Sequence, residues 1–450
     1  MSRHRFQNDV ISFSQGLPSG WREERIHDVA ELRTSNVDKK SEDGEQPVKL
    51  CNYVDVYKND RITADLDFMD ATATKAQIER FALNVGDVVI TKDSETPDDI
   101  GVPALIKESF PEFVCGYHLT ILRPDPNIVF GGYLFYAIKS RLSAYQFYLA
   151  ANGVTRFGLT YQGTKNVRIA FPPVPEQQQI AAFLDWKTKQ IDALIARKQE
   201  LLEKLKEKRL AVITQAVTKG LNPAAPMRDS GIPWLGQVPK HWEVGGFTKY
   251  VEHRADYRGK TPEKVSEGVF LVTAKNIKGG RIGYELSQEY VREDEYADIM
   301  SRGLPKIGDL LFTTEAPLGE VANIDREDIA LAQRVIKFRG EKLKLNNYFA
   351  KYWMMSAPFQ GHVTSLATGS TALGIKASKL FELRCVVPPL EEQQQIVDYL
   401  NAKLAEFEAM EDKIREAIDR LAEYRTALIT AATTGKIDVR GVKVPQPEQP

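Results

Sequence analysis

Cysteine is scarce in this chain. Cys51, Cys115 and Cys385 are the only three in 450 residues. Their odd number and wide spacing exclude a disulfide framework and a Cys-x-x-Cys metal site. A reducing cytoplasm is the expected compartment. The six histidines (His4, His27, His118, His241, His253 and His362) include no pair at a metal-ligand spacing. An excess of either charge is also missing. Sixty Lys and Arg face 61 Asp and Glu, for a net charge of -1. That balance excludes a protein that coats nucleic acid through bulk cation excess, but leaves a local basic patch open. The strongest apolar run, Tyr133 to Ile138, is far shorter than the ~20 residues of a membrane-crossing helix. Met1 to Arg5 leads into polar residues, not into the apolar segment of a signal peptide.

Catalytic motifs are equally scarce. Gly259-Lys260-Thr261 looks like the end of a phosphate-binding loop, but Arg254 stands where its first glycine is required. There is no His-Glu-x-x-His and no Gly-x-Ser-x-Gly. A glycine-rich loop suited to S-adenosylmethionine is absent, and Phe171-Pro172-Pro173 lacks the Asn of an amino-methyltransferase motif. Asp98-Asp99 and Glu391-Glu392 read as surface carboxylates. The expectation is a chain without catalysis or a metal of its own.

What the chain does have is a repeat. Pro172-Pro173 followed by Glu176-Gln177-Gln178-Gln179-Ile180 returns as Pro388-Pro389 and Glu392-Gln393-Gln394-Gln395-Ile396. The offset of 216 holds without a gap to Thr218 and Thr434. Leu205/Leu421, Arg209/Arg425 and Ile213-Thr214/Ile429-Thr430 are among the identities. Upstream, Gly153, Thr155, Gly158 and Arg168 meet Gly369, Thr371, Gly374 and Arg384. Further back the offset drifts, and Val85-Gly86-Asp87-Val88 resembles Ile307-Gly308-Asp309-Leu310.

Each repeat closes with a long amphipathic segment. Steps of three and four from Leu184 give Lys187, Ile191, Leu194, Lys198, Leu201, Leu205, Lys208 and Val212. The second copy gives Leu400, Lys403, Phe407, Met410, Ile414, Ala417, Leu421, Tyr424 and Leu428. These are coiled-coil seams. The double proline starts each helix, and Gly220 and Gly435 end it. About 42 residues then span roughly 60 Å. Two such helices in one chain are expected to pair antiparallel.

The segments before them read as mixed α/β modules. Strands are expected at Asp87–Thr91, Leu119–Leu122, Asp309–Thr313 and Val335–Phe338, and helices at Gly132–Leu149 and Asn346–Met355. The divisions are 1–170 for the first module, 171–220 for the first helix and 221–241 for a linker. The second module is 242–386, its helix 387–436, and the tail 437–450. The fold class is α+β, a pseudo-twofold internal repeat of two similar mixed α/β modules separated by two long helices. Tyr133, Phe135 and Tyr136 are expected in the core, with Trp21, Trp234 and Trp242 as packing anchors. Two diverged modules on a stiff spacer suit a protein that reads two half-sites one or two turns apart on duplex DNA. The alternative is a coiled-coil scaffold whose modules bind proteins.

The Pro-Pro-x-x-Glu-Gln-x-x-Ile starts, the heptad helices and the closing Thr434-Gly435-Lys436-Ile437-Asp438 resemble the specificity subunit of type I restriction-modification enzymes. So does Asp229-Ser230-Gly231-Ile232-Pro233-Trp234-Leu235-Gly236, continuing to Val238-Pro239-Lys240-His241-Trp242. Gln15-Gly16-Leu17 before Pro18-Ser19-Gly20-Trp21 echoes that stretch only in part. The resemblance implies two target-recognition domains reading a bipartite double-stranded DNA sequence. It implies helices that dock two modification (methyltransferase) subunits, and restriction (translocase-nuclease) subunits that complete the assembly. S-adenosylmethionine, ATP and Mg would belong to those partners.

DNA contact calls for cations, amides and hydroxyls on exposed loops. The candidates in the first module are Lys58, Asn59 and Arg61; Thr91, Lys92 and Ser94; His118; and Thr155 and Arg156. In the second they are Lys275, Asn276, Lys278 and Arg281; Thr313, Thr314 and Glu315; Gln333 and Arg334; and Thr371.

Overall fold

A computed structural model of the chain describes residues 16–259, 262–369 and 373–445. They form two units, Met1–Lys198 with Glu416–Pro450, and Gln199–Arg415. Two helices run through both, Val174–Lys219 with 46 residues and Leu390–Thr433 with 44. Each starts directly after its double proline. Each stops at or just before a glycine in the left-handed region, Gly220 at φ +75 and Gly435 at φ +72, where a side chain is disfavoured.

Each unit holds part of both long helices, and they run antiparallel in each. In the first unit Gln179 donates to the carbonyls of Val439 and Val442, and Arg425 pairs with Asp192 thirteen residues on. In the second, Gly220 lies against Glu392 while Arg209 pairs with Glu408 at 3.7 Å. The buried seam differs from the expected one in a regular way. Its steps run four then three, not three then four. Thr188, Leu202 and Leu404 are buried, whereas Leu194, Leu201, Met410 and Tyr424 are exposed. Arg209 and Arg425 take seam positions that the apolar pattern does not mark. They fit there because their guanidinium groups find carboxylates, Glu408 for one and Asp60 and Asp192 for the other.

The repeated sequence words have structural reasons. Gln177 and Gln393 are buried clamps. Gln177 donates to the carbonyls of Ile128 and Pro172 and accepts from the Phe130 amide. Gln393 does the same for Lys344, Pro388 and Asn346. Each fastens a module to the start of its helix. The shared threonines fasten the module to the other helix. Thr430 Oγ1 accepts the Arg141 amide, and Thr214 Oγ1 accepts the Ala357 amide, both at 3.1 Å.

Those threonine bonds fall where the expected single helix Gly132–Leu149 is in fact two, Gly131–Lys139 and Arg141–Ala150. Ser140 breaks it with an extended backbone (ψ 151) and accepts the Ser143 amide as a cap. Ser356, also extended (ψ 149), breaks the chain between Asn347–Met355 and Ala357–Leu366, and its hydroxyl donates to the Trp353 carbonyl.

In the first unit the main sheet has five strands in the order Ala30–Thr34, Leu119–Pro124, Val88–Thr91, Pro103–Ile106, Arg61–Ile62. The second unit has Val251–Asp256, Val335–Gly340, Leu310–Thr314, Leu318–Asn323. The Gly-Asp pair fixes the two central strands of each sheet. Asp87 accepts Arg123 through both oxygens at 2.9 and 2.7 Å, and Asp309 accepts Arg339 at 2.7 Å twice. Both carboxylates are almost fully buried. Each unit has one core shared with the long helices and a second inside its module. Tyr133, Phe135 and Tyr136 lie in the first of these cores. The stretch read as a linker carries a hairpin, Met227–Asp229 with Gln237–Pro239, because Leu235, Val238 and Trp242 are drawn into the second unit's core. Trp234 stacks on His362 at 4.5 Å, and Trp21 donates to Glu176.

Removing Asp87 strands a guanidinium in a low-dielectric site, with an expected loss of roughly 3 to 5 kcal/mol. Asp309 also neutralises buried Lys337, 3.2 Å away. Asp309→Ala is therefore expected to destabilise more than Asp87→Ala in urea unfolding. Equal or smaller loss for Asp309→Ala contradicts this.

Candidate nucleic-acid interface

One end of each main sheet gathers three segments that are far apart in sequence. In the first unit Thr91 pairs across from Leu119, and the strands then continue outward. The Lys92 amide donates to the His118 carbonyl at 3.0 Å, and the Leu159 amide donates to the Lys92 carbonyl at 2.8 Å. Gly158 lies opposite Asp93. In the second unit the same bonds recur. Thr313 pairs across from Val335, the Thr314 amide donates to the Arg334 carbonyl, and the Ile375 amide donates to the Thr314 carbonyl, both at 2.9 Å. Glu315 bridges to Gly374.

The side chains at this end differ between units. In the first, His118 Nδ1 lies 2.7 Å from Asp93 Oδ2, and Arg156 Nη2 approaches the same ring at 3.4 Å. Lys92 Nζ sits 4.3 Å from the centre of the Tyr117 ring. Thr155 and Arg156 are exposed at the tip of the hairpin Ala151–Gly153 with Phe157–Leu159. Gly153, at φ +151, leaves no room for a side chain beside the Arg156 carbonyl. In the second unit Arg334 Nε is 2.8 Å from Glu315 Oε1.

Several other candidates serve the fold. Thr91 accepts the Val102 amide, and buried Ser94 accepts the Thr96 amide. Asn59 closes a short helix on the Asp55 carbonyl. Arg61 lies over the Phe135 ring at 4.0 Å and pairs with Asp185 of the first long helix. Nearby Asp60 is held by Lys139 and Arg425. Burial would raise the Asp60 carboxyl, but the two cations outweigh it and keep it below the ordinary carboxylate range. Lys58 is exposed beside this cluster.

In the second unit Asn276 is fully buried. It donates to the carbonyls of Gly283 and Ser287 and accepts the Thr273 amide. Lys275 next to it is exposed. Thr313 and Thr314 are buried; Thr313 accepts the Glu320 amide, and Thr314 donates to the Arg334 carbonyl. Gln333 is half-buried. Lys278 and Arg281 stay exposed, paired across a tight turn of Gly279 and Gly280, both at positive φ. Thr371 lies outside the described residues, as do Lys260 and Thr261.

Sequence reasoning missed Arg258. It grips Asp256 and donates to the Ile375 carbonyl at 3.2 Å, so it joins the same sheet end. That hydrogen bond to Asp256 pushes the Arg258 guanidinium above its ordinary range. The available signal is the run of Arg254, Arg258 and Lys260 within seven residues. Among the described residues no group of three or more His, Cys, Asp or Glu could hold a metal ion, and no helix is long and apolar enough to cross a membrane.

The family model for the type I restriction modification DNA specificity domain matches residues 18–205 and 281–420. The chain belongs to this family. It is 24% identical over 437 residues to the putative type I restriction enzyme MjaX specificity subunit of Methanocaldococcus jannaschii, covering 94% of this chain and 95% of that one. It is 22% identical to the type I restriction enzyme EcoKI specificity subunit of Escherichia coli, covering 94% and 90%. The fold is similar to a chain solved for the complex assembly and conformational transition of the type I R-M system. That likeness has a TM-score of 0.69 at 16% identity, over 94% of this chain and 100% of the other. The HsdS subunit from Thermoanaerobacter tengcongensis matches at a TM-score of 0.50 and 16% identity, over 94% and 99%.

The division between fold-serving and exposed candidates is testable. Asn276→Ala orphans the buried Gly283 carbonyl, at a cost of roughly 1–3 kcal/mol, and removes the partner of the part-buried Ser287 carbonyl and Thr273 amide. Thermal melting should fall by several degrees while any sequence preference in DNA binding stays as it was. A changed preference at full stability would make Asn276 a reading residue.

Proposed function

We propose that this chain is the DNA sequence-specificity subunit of a type I restriction-modification complex. Each unit reads one half of a bipartite duplex target, and the two halves differ. The observation that carries this reading is the repeated sheet end. The same backbone bonds gather three segments in both units, yet the side chains presented there are His118, Asp93 and Arg156 in one and Arg334, Glu315 and Arg258 in the other. A constant scaffold with variable exposed donors is what base readout requires. Lys58, Lys92, Lys275, Lys278 and Arg281 are suited to phosphate contact, which positions a reader without specifying sequence.

In this reading residues 1–170 and 242–386 are the recognition domains. Residues 171–220 and 387–436 are the conserved helices, 221–241 the linker and 437–450 the tail. The helices dock two modification subunits, which bind S-adenosylmethionine and methylate adenine, and restriction subunits that use ATP and Mg complete the assembly in the cytoplasm. Exposed apolar residues on the helices support a protein-facing surface: Leu194 and Tyr424 in the first unit, and Leu201, Leu210 and Met410 in the second. The chain itself contributes recognition and no catalysis.

Footprinting of the full chain assembled with its modification subunits tests this. Two protected blocks flanking an unprotected spacer are expected. Alanine at Lys92, Arg281 and Arg334 together should lower affinity at least tenfold. A single continuous site, or affinity untouched by the triple substitution, would favour a scaffold whose modules bind proteins.

A further inference from the structure

The candidates for DNA contact are many, but one position stands apart in both units. His118 and Arg334 each immediately precede the equivalent strand, Leu119–Pro124 in one unit and Val335–Gly340 in the other. Each carbonyl accepts an amide from the strand end opposite, Lys92 in one case and Thr314 in the other. Each side chain is then braced by the carboxylate one residue beyond that amide, Asp93 or Glu315. The brace uses one face of the side chain only. In Arg334 it engages Nε, 2.8 Å from Glu315 Oε1. No hydrogen bond among the described residues takes up its two Nη atoms. In His118 the brace engages Nδ1, at 2.7 Å from Asp93 Oδ2, and Nε2 has no hydrogen-bond partner among the described residues.

Orientation by a carboxylate is what separates a reading side chain from a solvated one. A free surface arginine samples many rotamers and gives up much of that freedom when it docks. A paired one has already given up part of it, and its planar fork is biased toward fewer directions. The Nη edge of a guanidinium matches the paired acceptors O6 and N7 of guanine in the major groove. The side chain of Arg334 is half exposed, 50%, and that of Glu315 45%, so the pair stands in solvent with room for a partner. His118 and Asp93 are more enclosed at 24% each, with Arg156 beside them.

We propose that His118 and Arg334 occupy the same base-reading position in their two units, with Arg334 forked onto a guanine of one half-site and His118 Nε2 on a base of the other. This rests on the DNA-reading assignment above. The carboxylates Asp93 and Glu315 are positioning residues, and the Arg-for-His difference makes the half-sites unequal at this position.

The experiment is selection of duplexes with randomised bases by the full chain assembled with its modification subunits. The recovered sequences are compared for the unsubstituted chain, Arg334→Gln, Arg334→Lys and His118→Gln. With Arg334→Gln, discrimination at one base pair of one half-site should fall about tenfold or more, and the other half-site should be unchanged. Arg334→Lys keeps the charge but loses the fork, so overall affinity should hold while that base pair is relaxed. His118→Gln should alter one base pair in the other half-site only. Thermal melting of each variant separates misfolding from altered reading, and Arg334→Lys keeps the test open if Arg334→Gln unfolds. The proposal is overturned if preferences are unchanged in all three variants. It is also overturned if Arg334→Gln weakens binding equally on every sequence with a salt slope lower by about one, the mark of a phosphate contact. An unsubstituted assembly with no bipartite preference overturns the DNA reading itself.

Discussion

Burial of the two helix seams is the constraint from which the rest follows. A helix of 46 residues presents apolar side chains along its whole length, and one module cannot cover them. Each unit solves this by combining its module with part of both helices. The first unit packs Ile180, Leu184 and Ile191 with Leu428, Ile429 and Ala432. The second packs Leu205, Ile213 and Val217 with Ile396, Leu400 and Leu404. Residues near the chain's end therefore complete a unit that begins near its start. The glutamine clamps and threonine caps are the polar side of the same arrangement. The clamps satisfy backbone groups that this packing buries in whole or in part, and the caps hold helix-start amides nearer the surface.

Much of this was legible in the sequence because it is written twice. Pro-Pro-x-x-Glu-Gln, Ile-Thr and Gly-Asp recur with their bonding partners. Their repetition marked them before their role as clamp, cap and carboxylate brace was visible. What failed to show was phase and breaks. Leu201 and Leu202 are adjacent, so apolar character alone leaves the seam ambiguous by one residue. The true phase depends on Thr188, which meets the Tyr136 hydroxyl, and on Arg209 and Arg425, which meet carboxylates, all contacts made only in three dimensions. The break at Ser140 carries no glycine or proline, and only its alignment with Ser356 marks it. At the candidate interface the three loops were legible, but their division into fold and function was not. Thr91, Asn276 and Thr313 look like good donors in one dimension and are buried in three.

The two units keep the same frame and vary what it presents. Asp87 with Arg123 and Asp309 with Arg339 lock the central strands alike. At one end of those strands stand a histidine with an aspartate in one unit and an arginine with a glutamate in the other. In the proposed reading the frame supplies stability and the exposed side chains at the sheet end supply specificity. The balance of 60 against 61 charges fits a reader whose affinity is built from a few oriented groups and partner subunits, not from bulk attraction.

The most direct measurement is the target of a chain in which residues 242–386 are replaced by a second copy of the first recognition module, assembled with the same modification subunits. If each unit reads one half-site on its own, the methylated target should consist of the first half-site twice, and the other half-site should vanish. Retention of the original two unequal half-sites would contradict the account.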